Sequence, residues 1–168
     1  MPKNHPIKVL PPAEYLRSRL DYNPKTGELT WKQVAKRLPH LVGKPAGSRE
    51  SEYIRIAVNG SRYFAHRVIW KMMTGKDPSL GIDHKDRNGF NNRWNNLRLA
   101  NQTQSLWNRK MPRQVGPYRG VQRQKKKWAA YIRVDGVHRY LGSFLTPEDA
   151  AAAYEFAARQ LHGEFYSD

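Results

Sequence analysis

Gly81–Lys110 reads GIDHKDRNGFNNRWNNLRLANQTQSLWNRK, and the fold of the chain turns on it. Ile82-Asp83-His84 forms a short strand, and the asparagine-rich, charged loop Lys85–Asn95 follows. Leu97–Leu99 returns as a second strand, and Asn101 begins a helix running to about Lys110. Strand, long loop, strand, helix is the order that sets an acidic residue beside a helix face. On that helix Asn101, Ser105 and Asn108 share one side, at i, i+4 and i+7. Asp83 and His84 are adjacent, and adjacent residues in a strand point to opposite faces. They act together on one group only if the strand ends or kinks there.

Working upstream, Ala13–Leu20 has the spacing of a short amphipathic helix. In Asp21–Thr30, DYNPKTGELT, the Asn-Pro and Thr-Gly pairs mark a turn before a strand ending at Trp31. Tyr53–Val58 alternates, Asn59-Gly60 supplies a type I′ turn, and Arg62–Ala65 returns as the second arm of a hairpin. His66–Thr74 then reads as a buried helix with Val68, Ile69 and Met72 on one side. His66 is either a ligand or, more commonly at a strand-to-helix junction, a satisfied structural group.

Working downstream, Met111–Pro117 holds two prolines and a glycine without apolar periodicity, and reads as a linker. Tyr118–Gln124, Trp128–Val134 and Arg139–Phe144 are three short strands, divided by Lys125–Lys127 and by Asp135-Gly136. Thr146-Pro147-Glu148-Asp149 opens a helix, with Thr as the cap, Pro at the first position and acids in the first turn. Ala150, Ala153, Tyr154, Ala157 and Leu161 follow at helical spacing, so the helix lies against the three-stranded sheet.

Composition limits what such modules do. The 168 residues hold 30 Lys and Arg against 14 Asp and Glu, a net charge of +16, which favours a polyanionic partner. The excess is uneven: +11 over residues 1–108, +9 over 109–145 and −4 over 146–168. A positive sheet backed by a negative helix is the pattern of a binding face and not of an evenly solvated surface. Apolar residues make up 39% of the chain, enough for a core. With no cysteine there is neither a disulfide nor a zinc–thiolate site, as in a reducing cytosol. No apolar run reaches the roughly 18 residues of a membrane span. The N-terminal MPKNHPIKVLPP lacks a signal peptide's apolar centre.

The front part resembles the HNH endonucleases, the ββα-metal nucleases, especially those of phage and intron-encoded homing type. The resemblance rests on AHRVIW at Ala65–Trp70, IDHKDRN at Ile82–Asn88, NNLRLA at Asn95–Ala100 and Asn108, with DYNPKTGELTWK and GKPAG (Gly43–Gly47) similar to the start of those proteins. YRGV at Tyr118–Val121, WAAYIRV at Trp128–Val134, YLGSF at Tyr140–Phe144 and EDAAAAYEFAA at Glu148–Ala158 resemble an APETALA2/ethylene-response-type DNA-binding domain. The two together imply an α+β chain: a nuclease module with extra hairpins at 1–110 (core motif 65–110), a linker at 111–117, and a three-stranded antiparallel sheet packed on one helix at 118–168. That order of modules is known in phage homing endonucleases.

Hydrolysis of a phosphodiester needs a deprotonated water and stabilisation of the departing 3′ oxygen. His84 suits the first task, because an imidazole titrates near working pH. One Mg²⁺ or Mn²⁺ on the hard oxygen of Asp83 suits the second. The resemblance implies that Asn96 holds the loop and orients His84, and that a second ligand stands on the helix. Members usually have Asn or His there, and the alignment puts Ser105 in that place. Ser105 works through a water in a weakened site, or Asn108 one turn on substitutes, or the chain is an inactive form retained for DNA binding. The second resemblance nominates Arg119, Arg123, Trp128, Arg133 and Arg139 as DNA contacts, with Trp128 equally a core aromatic. Gln122 and Gln124 stand where Arg is often found, and Gln pairs with adenine where Arg pairs with guanine.

The expected activity is therefore sequence-directed cleavage of double-stranded DNA by a monomer, in the cytoplasm of a bacterial host of a phage or mobile element. The alternative is a repressor-like DNA-binding protein on the same scaffold. A basic RNA-associated protein leaves Asp83-His84 without a purpose, and a sheet built for the major groove favours B-form duplex.

Overall fold

A computed structural model describes residues 8–36, 38–108, 118–134 and 136–166. The linker expected at 111–117 and Asp135 of the Asp-Gly turn lie outside the described residues. The chain divides into two compact units, Met1–Gln102 and Thr103–Asp168. It is a mixed α+β protein with several small antiparallel sheets and, among the described residues, four α-helices.

In the first unit α1 (Ala13–Arg19) runs straight into β1 (Leu20–Tyr22), which pairs antiparallel with β2 (Leu29–Trp31). The turn between them is built by Asn23. Its Oδ1 accepts from the Lys25 and Thr26 amides at 3.0 and 3.3 Å, and its carbonyl accepts from Gly27 N at 2.8 Å. Gly27 has a φ of +82°, and a Cβ there would stand 2.5 Å from Arg93 N and 2.6 Å from the Asn92 carbonyl carbon. Only glycine admits that backbone and that approach, so the turn fixes the loop that carries Asn92.

Strands β3 (Ser48–Glu50), β4 (Tyr53–Val58) and β5 (Ser61–Phe64) make a three-stranded sheet in the order β3-β4-β5. The sequence points to the β4–β5 hairpin, and Asn59 and Gly60 at the turn both have positive φ, as a type I′ turn requires. The third strand, Ser-Arg-Glu, has no apolar residue to announce it. It is held by pairing and by Glu50, whose carboxylate meets Arg62 at 2.5 Å and Arg55 at 3.5 Å.

Helix α2 (Ala65–Thr74) starts as β5 ends and stops at Gly75, which takes the left-handed conformation at φ +77°. Its buried Val68 and Ile69 join Leu16, Leu20, Leu29, Ile56 and Leu97 in one core, and each such side chain contributes about 1.5–3 kcal/mol. β6 (Gly81–His84) and β7 (Leu97–Ala100) form a separate antiparallel pair whose register sets Asp83 opposite Arg98 and His84 opposite Leu97.

The division of the chain groups α3 (Gln102–Asn108) with the second unit, whereas the sequence reading runs the first module to residue 110. Trp107 of α3 stacks on His162, with ring centroids 4.0 Å apart. That unit otherwise consists of β8 (Val121–Gln124), β9 (Lys127–Val134), β10 (Val137–Phe144) and α4 (Pro147–His162), with strand order β10-β9-β8. Thr146 caps α4 by accepting from Asp149 N at 3.2 Å. Ala150, Ala151, Tyr154, Ala158 and His162 are its buried residues, so the inward stripe is rotated from the one expected: Leu161 is 42% exposed and His162 is buried in its place. His162 there stacks on Trp107, a contact invisible in the helical spacing.

Candidate active site and nucleic-acid interface

His84 is the last residue of β6, and the chain turns immediately: its carbonyl accepts from Arg87 N at 2.9 Å, and Arg87 has a φ of +64°. The strand thus ends where adjacent Asp83 and His84 need it to. His84 is buried, and its Nε2 lies 3.0 Å from Oδ1 of Asn92, a residue only 1% exposed. A carboxamide oxygen only accepts, so Nε2 carries the hydrogen and the basic lone pair belongs to Nδ1.

A ring of aromatic groups packs the imidazole. Tyr53 lies 6.0 Å from it between centroids, and His66 meets it edge to face at 5.2 Å. His66 is itself stacked on Phe64 at 5.2 Å and packed against Tyr53. Burial, reinforced by the charges of His84 and Arg67, pushes the His66 pKa down to about 3, so His66 is a neutral packing group. Burial also lowers the pKa of His84, against the opposing pull of the Asn92 bond and of Asp86 and Asp83.

The loop beyond His84 is organised by amides. Asn96 accepts from Asp86 N at 3.1 Å and donates through Nδ2 to the Asp86 carboxylate at 2.9 Å and to the Asn91 carbonyl at 2.7 Å. Burial raises the pKa of Asp86, but hydrogen bonds from Asn91, Asn88 and Asn96 outweigh it, and the net shift is downward. Asn96 therefore holds the loop, while direct contact with His84 is made by Asn92. The sequence reading did not single out Asn92; the FNN run around it is the signal that contained it. Tyr22 fixes the same segment by donating to the Asn92 carbonyl at 2.8 Å, and Trp70 of α2 packs on Trp94 at 5.1 Å.

Asp83 is ion-paired with Arg98, whose Nε and Nη2 both reach Oδ2, at 2.9 and 2.8 Å. Among the described residues there is no group of three or more His, Cys, Asp or Glu that could hold a metal ion. Ser105, half-buried, and Asn108, buried, lie on α3.

On the second unit the register sorts the nominated residues by face. Trp128, Ala130, Ile132 and Val134 pack with α4 through Ala150, Ala151, Tyr154 and Ala158. Arg123 pairs with Trp128 and Arg139 with Ile132, so these two arginines are on the helix side, Arg123 over the Trp128 ring at 5.6 Å. Arg119 precedes β8 and lies 5.8 Å from the Tyr154 ring centre. Of the five, Arg133 alone is on the open face. It shares that face with Gln122, Gln124, Lys127, Tyr131, His138 and Tyr140. Gln124 Nε2 donates to Tyr131 Oη at 2.8 Å, and Tyr131 and Tyr140 are register partners 5.4 Å apart. The period of two along β9 was the available signal for Tyr131, and the hairpin register for His138 and Tyr140.

Residues 63–105 match the family model of the HNH endonuclease. The chain carries an HNH endonuclease domain. It is 33% identical over 102 residues to a protein named as an uncharacterized HNH endonuclease of Acanthamoeba polyphaga mimivirus, covering 60% of this chain and 54% of that relative. Over a short C-terminal region, 58 residues, it is 43% identical to an ethylene-responsive transcription factor of Arabidopsis thaliana, covering 33% of this chain and 23% of that protein. The chain thus spans about half the length of the first relative and about a quarter of the second. With Protein 3.8 of Escherichia phage T7 it is 30% identical over 104 residues, covering 60% of this chain and 85% of that protein. The chain belongs to one family with Protein 3.8. No solved structure matches it. No helix of the described residues is long and apolar enough to cross a membrane.

Proposed function

We propose that the protein is a sequence-directed DNA endonuclease of the homing type, hydrolysing a phosphodiester bond with a His84 base and one divalent cation. The observation that carries this reading is His84 at the end of β6, Nε2 anchored on buried Asn92 and the lone pair on Nδ1. Nδ1 takes the proton of the attacking water, and the Asn92 bond keeps the ring from turning as it does so. Asp83 offers the hard oxygen that Mg²⁺ or Mn²⁺ prefers. Mg²⁺ is usually held by one or two carboxylates with waters and substrate phosphate, so this sparse donor set fits it. When bound, the cation supplies charge stabilisation at the departing 3′ oxygen. Ser105, through a water, and Asn108 are the candidate ligands on α3.

Residues 1–110 form the cutting module, 111–117 the connection and 118–168 the module that locates the site on double-stranded DNA. The reading surface is the open face of the β8–β10 sheet, which carries Arg133 beside the β9–β10 turn, and Arg119, Arg123 and Arg139 are further candidate phosphate contacts from the helix side. Trp128 serves the core. One hydrolytic centre per chain makes a monomer that nicks.

Ser105 and the neutralised Asp83 favour a second reading, a weak or inactive nuclease that acts by binding DNA. Nicking of supercoiled DNA with Mg²⁺ or Mn²⁺ separates the two. His84→Ala should abolish nicking and leave binding nearly intact. Cleavage at full rate by that variant would overturn the role of His84, and wild-type binding without nicking would leave the second reading.

A further inference from the structure

Asp83 and Arg98 face each other across β6 and β7, with side chains 11% and 8% exposed. Nε and Nη2 of Arg98 both meet one oxygen, Oδ2. The single negative charge of the carboxylate is therefore cancelled at contact distance, inside the protein. The next acid in the sequence is committed elsewhere: Asp86 accepts from Asn88 N at 2.9 Å, from Asn96 Nδ2 at 2.9 Å and from Asn91 Nδ2 at 2.6 Å. Among the described residues no third acidic or imidazole ligand gathers with these groups.

Oxygen sites hold hard divalent cations largely by the charge of their carboxylates. A site whose one carboxylate is already balanced by a guanidinium has little net attraction to offer. The missing negative charge is what a DNA phosphate brings. Resting on the reading of Asp83 as a metal ligand, we propose that Arg98 is a positioning residue that neutralises and orients Asp83, so that the free protein captures a divalent cation only weakly and the phosphate of bound duplex completes the site. The protein then searches DNA without a loaded cation, and cation capture follows docking. Arg98 also keeps Asp83 from turning, because its Nε and Nη2 grip the same oxygen.

The test reads Mn²⁺ binding directly, from the electron paramagnetic resonance signal of the free ion, and needs no cleavage. It uses the full chain with His84→Ala, which keeps the DNA whole, with and without mixed-sequence duplex at low salt. Without DNA, this protein and its Asp83→Asn derivative should bind Mn²⁺ equally weakly. With duplex, the protein retaining Asp83 should gain a site about tenfold or more tighter than the Asp83→Asn derivative, the effect of one charge at a few ångströms. Arg98→Met should raise the affinity of the free protein about tenfold by removing the balancing charge, while Arg98→Lys should not. An Asp83-dependent site of equal affinity with and without DNA overturns the inference and leaves the metal-ligand reading standing. Indifference to Asp83 in both states overturns that reading as well. Because Arg98→Met leaves a buried carboxylate unpaired and risks misfolding, the Asp83→Asn comparison decides the matter without it.

Discussion

Nε2 of His84 lies 3.0 Å from Oδ1 of Asn92, and because that oxygen can only accept, this bond between two buried side chains puts the hydrogen on Nε2 and the lone pair on Nδ1. Asn92 is held in turn by its backbone, which Tyr22 bonds and Gly27 approaches closely. Removing the amide frees the ring to rotate and lets the other tautomer form. Groups that orient a functional imidazole are typically worth roughly 10–100-fold in activity. Asn92→Ala should therefore slow nicking by about that factor, with DNA affinity unchanged. Equal rates for the variant and the wild type would remove Asn92 from the site.

His66 makes a separate prediction about acid stability. Its ordinary pKa of 6.5 is pushed down to about 3 in the folded protein, with burial as the main cause. Between those values the unfolded chain binds a proton that the native one refuses, so stability falls as pH falls. The slope is about 1.4 kcal/mol per pH unit for one such group. His84, lowered in the same direction, adds to it. Replacing His66 with Phe keeps a ring between Phe64 and Tyr53 and should flatten the slope without abolishing it. Urea unfolding followed from pH 7 to pH 5 measures this, and an unchanged slope in His66→Phe would show that His66 is charged in the native state.

Much of this was legible in the order of residues, and the parts that were not share a cause. The β4–β5 hairpin, α2 and the capped start of α4 announce themselves through local signals: alternation before Asn-Gly, the apolar stripe of Val68, Ile69 and Met72, and Thr-Pro-Glu-Asp. β3 does not, because a Ser-Arg-Glu strand exists only through its partner. The same holds for the site. Asp83, His84 and Asn96 stand in a recognisable motif, whereas Asn92 is one asparagine among several until folding buries it beside His84. Arg98 sat within the motif unremarked, since its meaning depends on the cross-strand register. On the sheet, family likeness nominated arginines by type, and only the register separates the face of Arg133 from the face of Arg123 and Arg139.

Ser105 is the position at which the chain departs from the pattern it otherwise follows. An amide there would extend a carbonyl oxygen further than the serine hydroxyl reaches. Half-buried on a seven-residue helix, it tolerates an amide of modest size. Ser105→Asn should raise the nicking rate at subsaturating Mg²⁺ several-fold and shift the metal dependence to lower concentration. An unchanged metal dependence would move the helix ligand to Asn108 or away from α3.

The open sheet face yields the sharpest separation of affinity from specificity. Gln124 gives one amide hydrogen to Tyr131, which leaves its Oε1 and second hydrogen oriented as a pair. The second hydrogen can donate to N7 of adenine while Oε1 accepts from its N6–H in the major groove, and such a bidentate contact discriminates by about 1–3 kcal/mol. Gln124→Ala should lose this preference at one base pair while hardly changing binding to unrelated DNA. Tyr131→Phe, which removes the anchor and keeps the ring, should lose part of it. Arg133→Ala should act in the opposite way, weakening binding to all sequences and reducing the log–log salt slope by about 0.9 if it neutralises one phosphate. Competition binding on a randomised duplex pool at two salt concentrations measures both quantities. If Gln124→Ala changed only the salt slope and Arg133→Ala only the base preference, the roles would be exchanged, and Arg133 would be the residue reading a guanine.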